Sequence, residues 1–231
     1  MFVIKLDKFL LGCKSAVPIA FGYIPMGIGY AALALKAGFN PFQVVSFSIF
    51  VYAGAGEIIA ATMVYNGATA LAIILTNFVV NLRYFVMNTS VYNKMNENSL
   101  FLNILSAHLV TDETFAIFAF EEESSVWFYL GLSLMSWFSW ILGAVIGVFV
   151  LDFLPQIVTN SFNISLYALF IAILVPAIKN NKKLGLLVII TAVLNVFLQF
   201  IMGNWSLIVS TLLGALIGMY IIDEDTFEEI K

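Results

Sequence analysis

The amino-acid sequence predicts an all-α, polytopic bundle of membrane-spanning helices. Of the 231 residues, 62% are hydrophobic and only 10% are charged, whereas a soluble domain is about half apolar and a quarter charged. Apolar segments of roughly 20 residues, the length that crosses a hydrocarbon core, fill nearly the whole chain. The sequence therefore predicts one integral membrane domain over residues 1–231, with an acidic, solvated tail at 223–231.

The first apolar segment is predicted to be a retained span. Lys5, Lys8 and Lys14 resemble the basic start of a secretory signal, but the apolar run from Phe9 to Leu35 is longer than the roughly 7–15 residues of a signal core. Two prolines and three glycines within the predicted span 15–35 are expected to break the helix. These residues are Pro18, Gly22, Pro25, Gly27 and Gly29.

Eight spans are predicted, separated by short polar turns. Their boundaries are 15–35, 44–65, 68–91, 100–121, 126–150, 162–178, 184–202 and 205–222. The segment 100–121 carries ionisable groups near its middle, so it could cross, form two half-helices or re-enter on one side. Cytoplasmic loops are rich in Lys and Arg. Eight crossings with a cytoplasmic N-terminus place both lysine clusters, at 5–14 and 179–183, on that side, and seven crossings is the alternative.

An internal duplication is a further hypothesis. Residues 71–76 followed by Asn81 in the third span resemble residues 186–191 followed by Asn195 in the seventh. Duplicated halves are common in transporters, and chance similarity between apolar segments is the alternative. The tryptophans receive no functional role, and Trp127 and Trp205 are expected to be interfacial anchors.

Glycine and proline mark a candidate substrate site. The second span contains the small-residue patch Ala53–Gly56 before Glu57. Together with the first span, this patch indicates broken helices, because half-helix N-termini can hold an anionic group. The alternative is close helix packing through small residues. The predicted binding residues of this kind are Pro25, Gly27, Gly54 and Gly56.

Five ionisable residues lie within or beside apolar runs: Glu57, Arg83, His108, Asp112 and Glu113. Placing such a group at the bilayer centre costs roughly 2.5–3.5 kcal/mol, which favours functional interior positions. Interfacial positions or structural pairs are the alternative.

Two asparagines add to this polar set. Asn77 and Asn81 are four residues apart and so share one helix face, where they could also act only as interhelical contacts. Arg83 lies about 200° around the helix from Asn81. It can join their site only if the helix unwinds there.

The sequence lacks the motifs of common enzymes and ATPases. It contains no HExxH, Walker A or GxSxG motif and no Cys/His cluster. Its single cysteine and single histidine, Cys13 and His108, are far apart in sequence. We therefore predict a protein that is not an enzyme, has no cofactor and does not bind nucleic acid, and in which any pumping uses a gradient or a partner.

Four motifs, in order, resemble the AzlC family, the large subunit of branched-chain amino acid exporters. They are Pro18–Gly27, Tyr52–Glu57, Asn81–Tyr84 and Leu109–Phe115. The resemblance implies a bacterial inner-membrane exporter that works with a small AzlD-type membrane subunit. It also implies leucine, isoleucine, valine and sometimes methionine or analogues as substrates. Glu57 departs from the family pattern, which usually has Gln there.

These observations combine into a transport hypothesis. Arg83 and the broken backbone around residues 18–29 hold the substrate carboxylate, and Glu57 receives its ammonium. Asp112, Glu113 or His108 couple export to protons, since a buried carboxylate can be neutralised in transit.

Two other functions stay open. A structural or assembly subunit would use its polar groups only to bind neighbouring helices. A membrane-embedded enzyme would use Asp112, Glu113 and His108, although adjacent helical residues point about 100° apart and make a poor carboxylate pair.

Overall fold

A computed structural model describes residues 2–95, 99–150, 182–202 and 206–221, together with single positions at 171, 174, 175, 178 and 179. The described residues form helices and turns without a strand, which confirms the all-α prediction. Apart from those single positions, the predicted span 162–178 lies outside the described residues. The acidic tail at 223–231 and Trp205 also lie outside them.

The chain divides into two compact units, which are described separately. The first unit, Met1–Leu169, contains α1 Phe2–Ser15, α2 Val17–Lys36, α3 Pro41–Phe50, α4 Gly54–Tyr65, α5 Ala70–Asn81, α6 Arg83–Met95, α7 Leu100–His108, α8 Asp112–Phe120 and α9 Val126–Val150. The second unit, Phe170–Lys231, contains α10 Lys182–Met202 and α11 Ser206–Ile221. The single domain predicted over residues 1–231 stays a prediction.

Four helical stretches within the described residues are long and apolar enough to cross a membrane. They are Val17–Lys36, Ala70–Met95, Val126–Val150 and Lys182–Met202, and each coincides with a predicted span. Many large apolar side chains on this protein are exposed, including Phe21, Phe42 and Phe85, as a surface facing lipid requires. The polytopic prediction is confirmed, whereas the number of crossings and the cytoplasmic N-terminus stay predictions.

Two predicted spans are each built from a pair of shorter helices. The predicted span 44–65 is occupied by α3 and α4, and the predicted span 100–121 by α7 and α8. Residues 100–121 therefore form two half-helices, and whether this segment crosses the membrane or re-enters on one side stays a prediction. The helix formed by α5 and α6 is also interrupted, at Leu82.

The central helix of the first unit is α9, and its glycines allow α1 and α2 to pack very closely against it. The most extensive helix contacts in this unit are those of α2 and α1 with α9. A Cβ atom added to Gly131 would lie 2.0 Å from the carbonyl oxygen of Phe9. One added to Gly143 would lie 2.4 Å from the carbonyl oxygen of Ile24. The backbones touch directly, as small residues allow in membrane helices.

The predicted break in the first span is wrong, because α2 runs without interruption from Val17 to Lys36 through Pro25. Pro18 lies in the first turn, where its missing N–H is not needed. Pro25 removes one donor from the helix interior, a loss that membrane helices tolerate when neighbouring groups compensate. Gly27 faces α9, where an added Cβ would lie 2.7 Å from the carbonyl oxygen of Trp140. Close helix packing, the alternative interpretation, accounts for this segment.

Substituting Gly131 with alanine is expected to destabilise the first unit by about 2 kcal/mol or more, because an overpacked interface must move its backbone. Unfolding of the full chain in detergent measures this change. Gly54→Ala is the matched control, since its added Cβ would meet the Trp140 ring at an ordinary 3.6 Å. A Gly131→Ala protein as stable as wild type would contradict the close approach of α1 and α9.

A lysine holds α8 in place against α6. The Lys94 ammonium donates to the carbonyl oxygens of Phe118 at 2.6 Å and Ala119 at 3.2 Å, and also to that of Glu121. The last turn of a helix has carbonyl groups without helical partners and a partial negative charge, so a cation stabilises it. Lys94 therefore caps the C-terminus of α8 and positions this half-helix.

The second unit is a pair of packed helices with a polar contact between them. Gly214 of α11 faces Thr191 of α10, and the Ser210 hydroxyl donates to Asn195 Oδ1 at 3.4 Å. Thr191 and Asn195 belong to the segment that resembles the third span in sequence. The internal duplication stays a prediction.

Candidate functional site

The candidate site lies where three helices are interrupted within apolar sequence. Tyr52 and Ala53 separate α3 from α4, Leu82 separates α5 from α6, and residues 109–111 separate α7 from α8. The first and third connections are buried. Irregular backbone at membrane depth is tolerated only where protein or enclosed water satisfies its polar groups. Each of these breaks therefore needs neighbouring groups that satisfy its backbone.

Glu57 organises the break between α3 and α4. Its side chain is 1% exposed and accepts three hydrogen bonds, from the Ala53 N–H at 3.1 Å, the Ser48 hydroxyl at 3.3 Å and Trp140 Nε1 at 3.4 Å. The carboxylate lies in the first turn of α4, where the helix dipole favours negative charge. These interactions explain how a carboxylate is held within an apolar segment.

Asn77 and Asn81 of α5 lie against Gly56 of α4. A Cβ added to Gly56 would be 2.8 Å from Asn77 Oδ1 and 3.1 Å from Asn81 Nδ2. The shared face predicted for the two asparagines is therefore present. Gly56 lets their amides approach the first turn of α4, directly beside Glu57.

The helix is interrupted after Asn81 by a turn at Leu82. The N–H of Leu82 donates to the Val79 carbonyl, and that of Phe85 donates to the Leu82 carbonyl, at 3.3 and 3.1 Å. These bonds span three residues instead of four, which tightens the turn. Arg83 is the first residue of α6.

Arg83 pairs with Asp112, the first residue of α8. Their Nη1 and Oδ2 atoms are 2.6 Å apart, and the two side chains are 34% and 29% exposed. The pair joins the start of α6 to the start of α8. Two charges that would each be costly in an apolar region thereby form a neutral pair.

Glu113 occupies the start of the same half-helix and contacts α2. The Tyr23 hydroxyl donates to Glu113 Oε2 at 2.5 Å and lies 2.9 Å from Thr111 Oγ1. Glu113 is 4% exposed. Thr111 caps α8 by accepting from the Thr114 N–H at 3.3 Å, which fixes the backbone from which Glu113 extends.

An aromatic pair connects the two buried carboxylates. The Tyr23 ring contacts the Trp140 ring edge-on, with centroids 5.6 Å apart. Tyr23 hydrogen-bonds Glu113, and Trp140 hydrogen-bonds Glu57. The half-helices α4 and α8 are therefore linked by a continuous path of side chains that runs through α2 and α9.

The structure brings most of the predicted site residues together and separates three of them. Asn77, Asn81 and Gly56 meet at α4, while Arg83 and Asp112 pair beside Glu113. Gly54 contacts the Trp140 ring that binds Glu57. The three that stand apart are Pro25 and Gly27, within the continuous α2, and His108, exposed at the C-terminal end of α7.

Several residues of the site were not predicted, namely Ser48, Tyr23, Tyr52, Thr111 and Trp140. Trp140, to which the sequence analysis gave no functional role, donates its indole N–H to Glu57. A signal existed in the sequence, because a tryptophan deep within a span must find an acceptor for its N–H. Within the described residues, no three His, Cys, Asp or Glu side chains are grouped closely enough to hold a metal ion.

Comparison with known proteins places the chain among membrane proteins of one family. It is 29% identical to the inner membrane protein YgaZ of Escherichia coli over 76% of each chain. It is 30% identical to an uncharacterized membrane protein of Archaeoglobus fulgidus, over 77% of this chain and 79% of that one.

A third relative carries a functional name. The branched-chain amino acid transport protein AzlC of Bacillus subtilis is 24% identical over 72% of this chain and 66% of its own. No solved structure matches. The family model described as AzlC protein matches residues 18–154, which include the three interruptions described above and both buried carboxylates. The chain belongs to the AzlC family of membrane proteins, whose named transport relative supports a transport function for the family as a whole.

Proposed function

We propose that this protein is the large subunit of a secondary transporter that exports branched-chain and other hydrophobic amino acids across the bacterial inner membrane. A small AzlD-type membrane subunit is its proposed partner. The observation that carries the proposal is a pair of buried carboxylates, each in the first turn of a helix that follows a break, connected through Tyr23 and Trp140, with the Arg83–Asp112 ion pair at the second break. Discontinuous helices of this kind form the substrate and ion sites of many transporters.

The Arg83–Asp112 pair is the proposed point of substrate entry into the site. A guanidinium binds carboxylates with well-defined geometry, so the α-carboxylate of an amino acid can compete with Asp112 for Arg83. Release of Asp112 would then change the contact between the starts of α6 and α8. This exchange couples occupancy of the site to the arrangement of two half-helices, which alternating access requires.

Glu113 is the proposed proton-coupling residue. It is buried, and the Tyr23 hydroxyl of α2 donates a hydrogen bond to it. Protonation would remove the charge that makes this hydrogen bond strong, which would loosen α8 from α2. His108, the third coupling candidate from the sequence, lies exposed at the end of α7, and its role stays a prediction.

Glu57 has a different role in this proposal from the ammonium site predicted for it. Its carboxylate already accepts three hydrogen bonds, and binding the substrate ammonium would mean replacing at least one of them. Glu57 is better suited to holding the break before α4 in its observed form.

Efflux of radiolabelled leucine from proteoliposomes, with and without an imposed pH gradient, tests this function. We expect the gradient to accelerate efflux from wild-type vesicles, and Glu113→Gln to abolish the acceleration. Glu122→Gln, an exposed carboxylate in the loop before α9, is the matched control and should respond as wild type does. Efflux that ignores the gradient would remove the coupling role, and absence of efflux for leucine, valine, isoleucine and methionine would remove the transport function.

A further inference from the structure

Three buried side-chain atoms in the candidate site have no hydrogen-bond partner among the described residues. They are the Tyr52 hydroxyl, Asn81 Oδ1 and Arg83 Nε. Tyr52 is 3% exposed as a whole residue. Because a buried polar group without a partner is costly, such groups are rare in native proteins and each one calls for an explanation.

The backbone of Tyr52 is held in an unusual conformation. Its φ angle is +45°, and it is the one described non-glycine residue with a positive φ. A bulky residue adopts this conformation only when its surroundings enforce it, and such strain concentrates at ligand sites. The Tyr52 N–H donates to the Phe47 carbonyl at 3.2 Å, and the next N–H donates to Glu57. The phenol therefore projects from a firmly fixed break.

Tyr52 and Asn81 both lie beside the first turn of α4. The backbone of Tyr52 lies beside Glu57, since the following N–H, that of Ala53, donates to the Glu57 carboxylate at 3.1 Å. Asn81 contacts Gly56, four residues after Tyr52.

Arg83 connects the end of α5 to the start of α8. It follows Asn81 by two residues and pairs with Asp112, the neighbour of Glu113. The pair uses Nη1 of Arg83, so Nε remains on a different edge of the guanidinium. Among the described residues, two donors and one acceptor thus remain without a partner at the breaks before α4 and α6.

We propose that these three atoms bind the backbone groups of a free α-amino acid. The Tyr52 hydroxyl and Arg83 Nε donate to the α-carboxylate, and Asn81 Oδ1 accepts from the α-ammonium. This inference rests on the proposed transport function and assigns its recognition subsite, including Tyr52, which no sequence motif had marked as a binding residue. The arrangement selects for an unmodified carboxylate and ammonium on the same carbon atom, independently of the side chain.

Competition binding to the full chain with its small subunit, reconstituted in nanodiscs, tests the subsite. Labelled leucine is displaced by unlabelled leucine, by leucinamide, which lacks the carboxylate, or by 4-methylpentanoate, which lacks the ammonium. Tyr52→Phe is expected to weaken leucine binding about 10-fold, the effect of losing one hydrogen bond to a charged group. Leucinamide binding should be unchanged in this variant.

Asn81 Oδ1, the proposed acceptor for the ammonium, is tested with the compound that lacks the ammonium. Asn81→Ala is expected to weaken binding of both leucine and leucinamide about 10-fold while leaving 4-methylpentanoate binding unchanged. The matched controls are Tyr65→Phe and Asn93→Ala, which alter exposed residues of α4 and α6, and both should bind all three compounds as wild type does. If Asn81→Ala does not fold, Tyr52→Phe, which removes a single oxygen atom, still decides the matter.

The outcomes separate this inference from the function on which it rests. The subsite alone would be overturned if the wild-type protein binds leucine and Tyr52→Phe binds leucine equally well. It would also be overturned if Tyr52→Phe weakens the binding of leucine and of leucinamide by the same factor. Wild-type protein that binds none of the branched-chain amino acids or methionine would overturn the transport proposal and the subsite together.

Discussion

Neutralising Arg83 alone, as Arg83→Gln, is expected to stop leucine efflux and to destabilise the protein by about 1–3 kcal/mol. Breaking a fully buried ion pair costs more, but here both side chains are about a third exposed, which reduces the penalty. The remaining carboxylate of Asp112 would lie uncompensated beside Glu113. Chemical unfolding in detergent measures the stability, and efflux from proteoliposomes measures the activity.

The double variant Arg83→Gln/Asp112→Asn separates transport from structure. With both charges removed, we expect stability to return to within about 1 kcal/mol of wild type, while efflux stays absent because the carboxylate site is lost. Lys8→Gln/Glu123→Gln is the matched control, since it removes an ion pair of similar exposure at 3.0 Å in the α1 region. A double variant at Arg83 and Asp112 that still exports leucine would favour the structural or assembly subunit.

Glu57→Ala is expected to cost about 3 kcal/mol or more in unfolding free energy. The substitution leaves the Ala53 N–H, the Ser48 hydroxyl and the Trp140 indole N–H without their acceptor, and each buried unsatisfied donor costs about 1–3 kcal/mol. Loss of the break would also move Tyr52 and Gly56, so efflux should fall as well. Unfolding and efflux measured on the same preparation report both effects.

Glu57→Gln is expected to have a smaller effect than Glu57→Ala. Glutamine keeps one oxygen acceptor and replaces the other with a donor, so we expect a smaller loss of about 1–2 kcal/mol and residual efflux. Glu122→Ala in the exposed loop should change neither property. A Glu57→Ala protein with wild-type stability would show that the three donors have alternative acceptors and that Glu57 does not hold the break.

The geometry does not support the enzyme alternative. Asp112 is paired with Arg83, Glu113 is hydrogen-bonded to Tyr23, and His108 lies exposed at the end of α7. A general acid and base must reach the same reacting group, whereas these three side chains face different surroundings. Membership of a transport-associated family points the same way.

The first and second spans show where reasoning from small residues succeeded and where it did not. Both contain glycines beside apolar residues, and both were predicted to break. In the second span the break forms at Tyr52 and Ala53, because Glu57 replaces the missing helical hydrogen bonds. In the first span Gly27 meets the backbone of α9, and the helix stays continuous through Pro25. The two spans have similar small-residue composition, and the contacts with neighbouring helices determine which of them is interrupted.

The amino-acid sequence by itself determined that the chain forms apolar helices, and it marked Glu57, Arg83, Asp112 and Glu113 as interior groups. Those properties follow from hydropathy and from the cost of charge in hydrocarbon, which are local and additive. Only the tertiary structure decided how these groups are satisfied, with Arg83 beside Asp112, Tyr23 on Glu113 and Trp140 on Glu57. Such pairings join residues as far as 90 positions apart, so they depend on which helices pack together, a property that no local pattern contains.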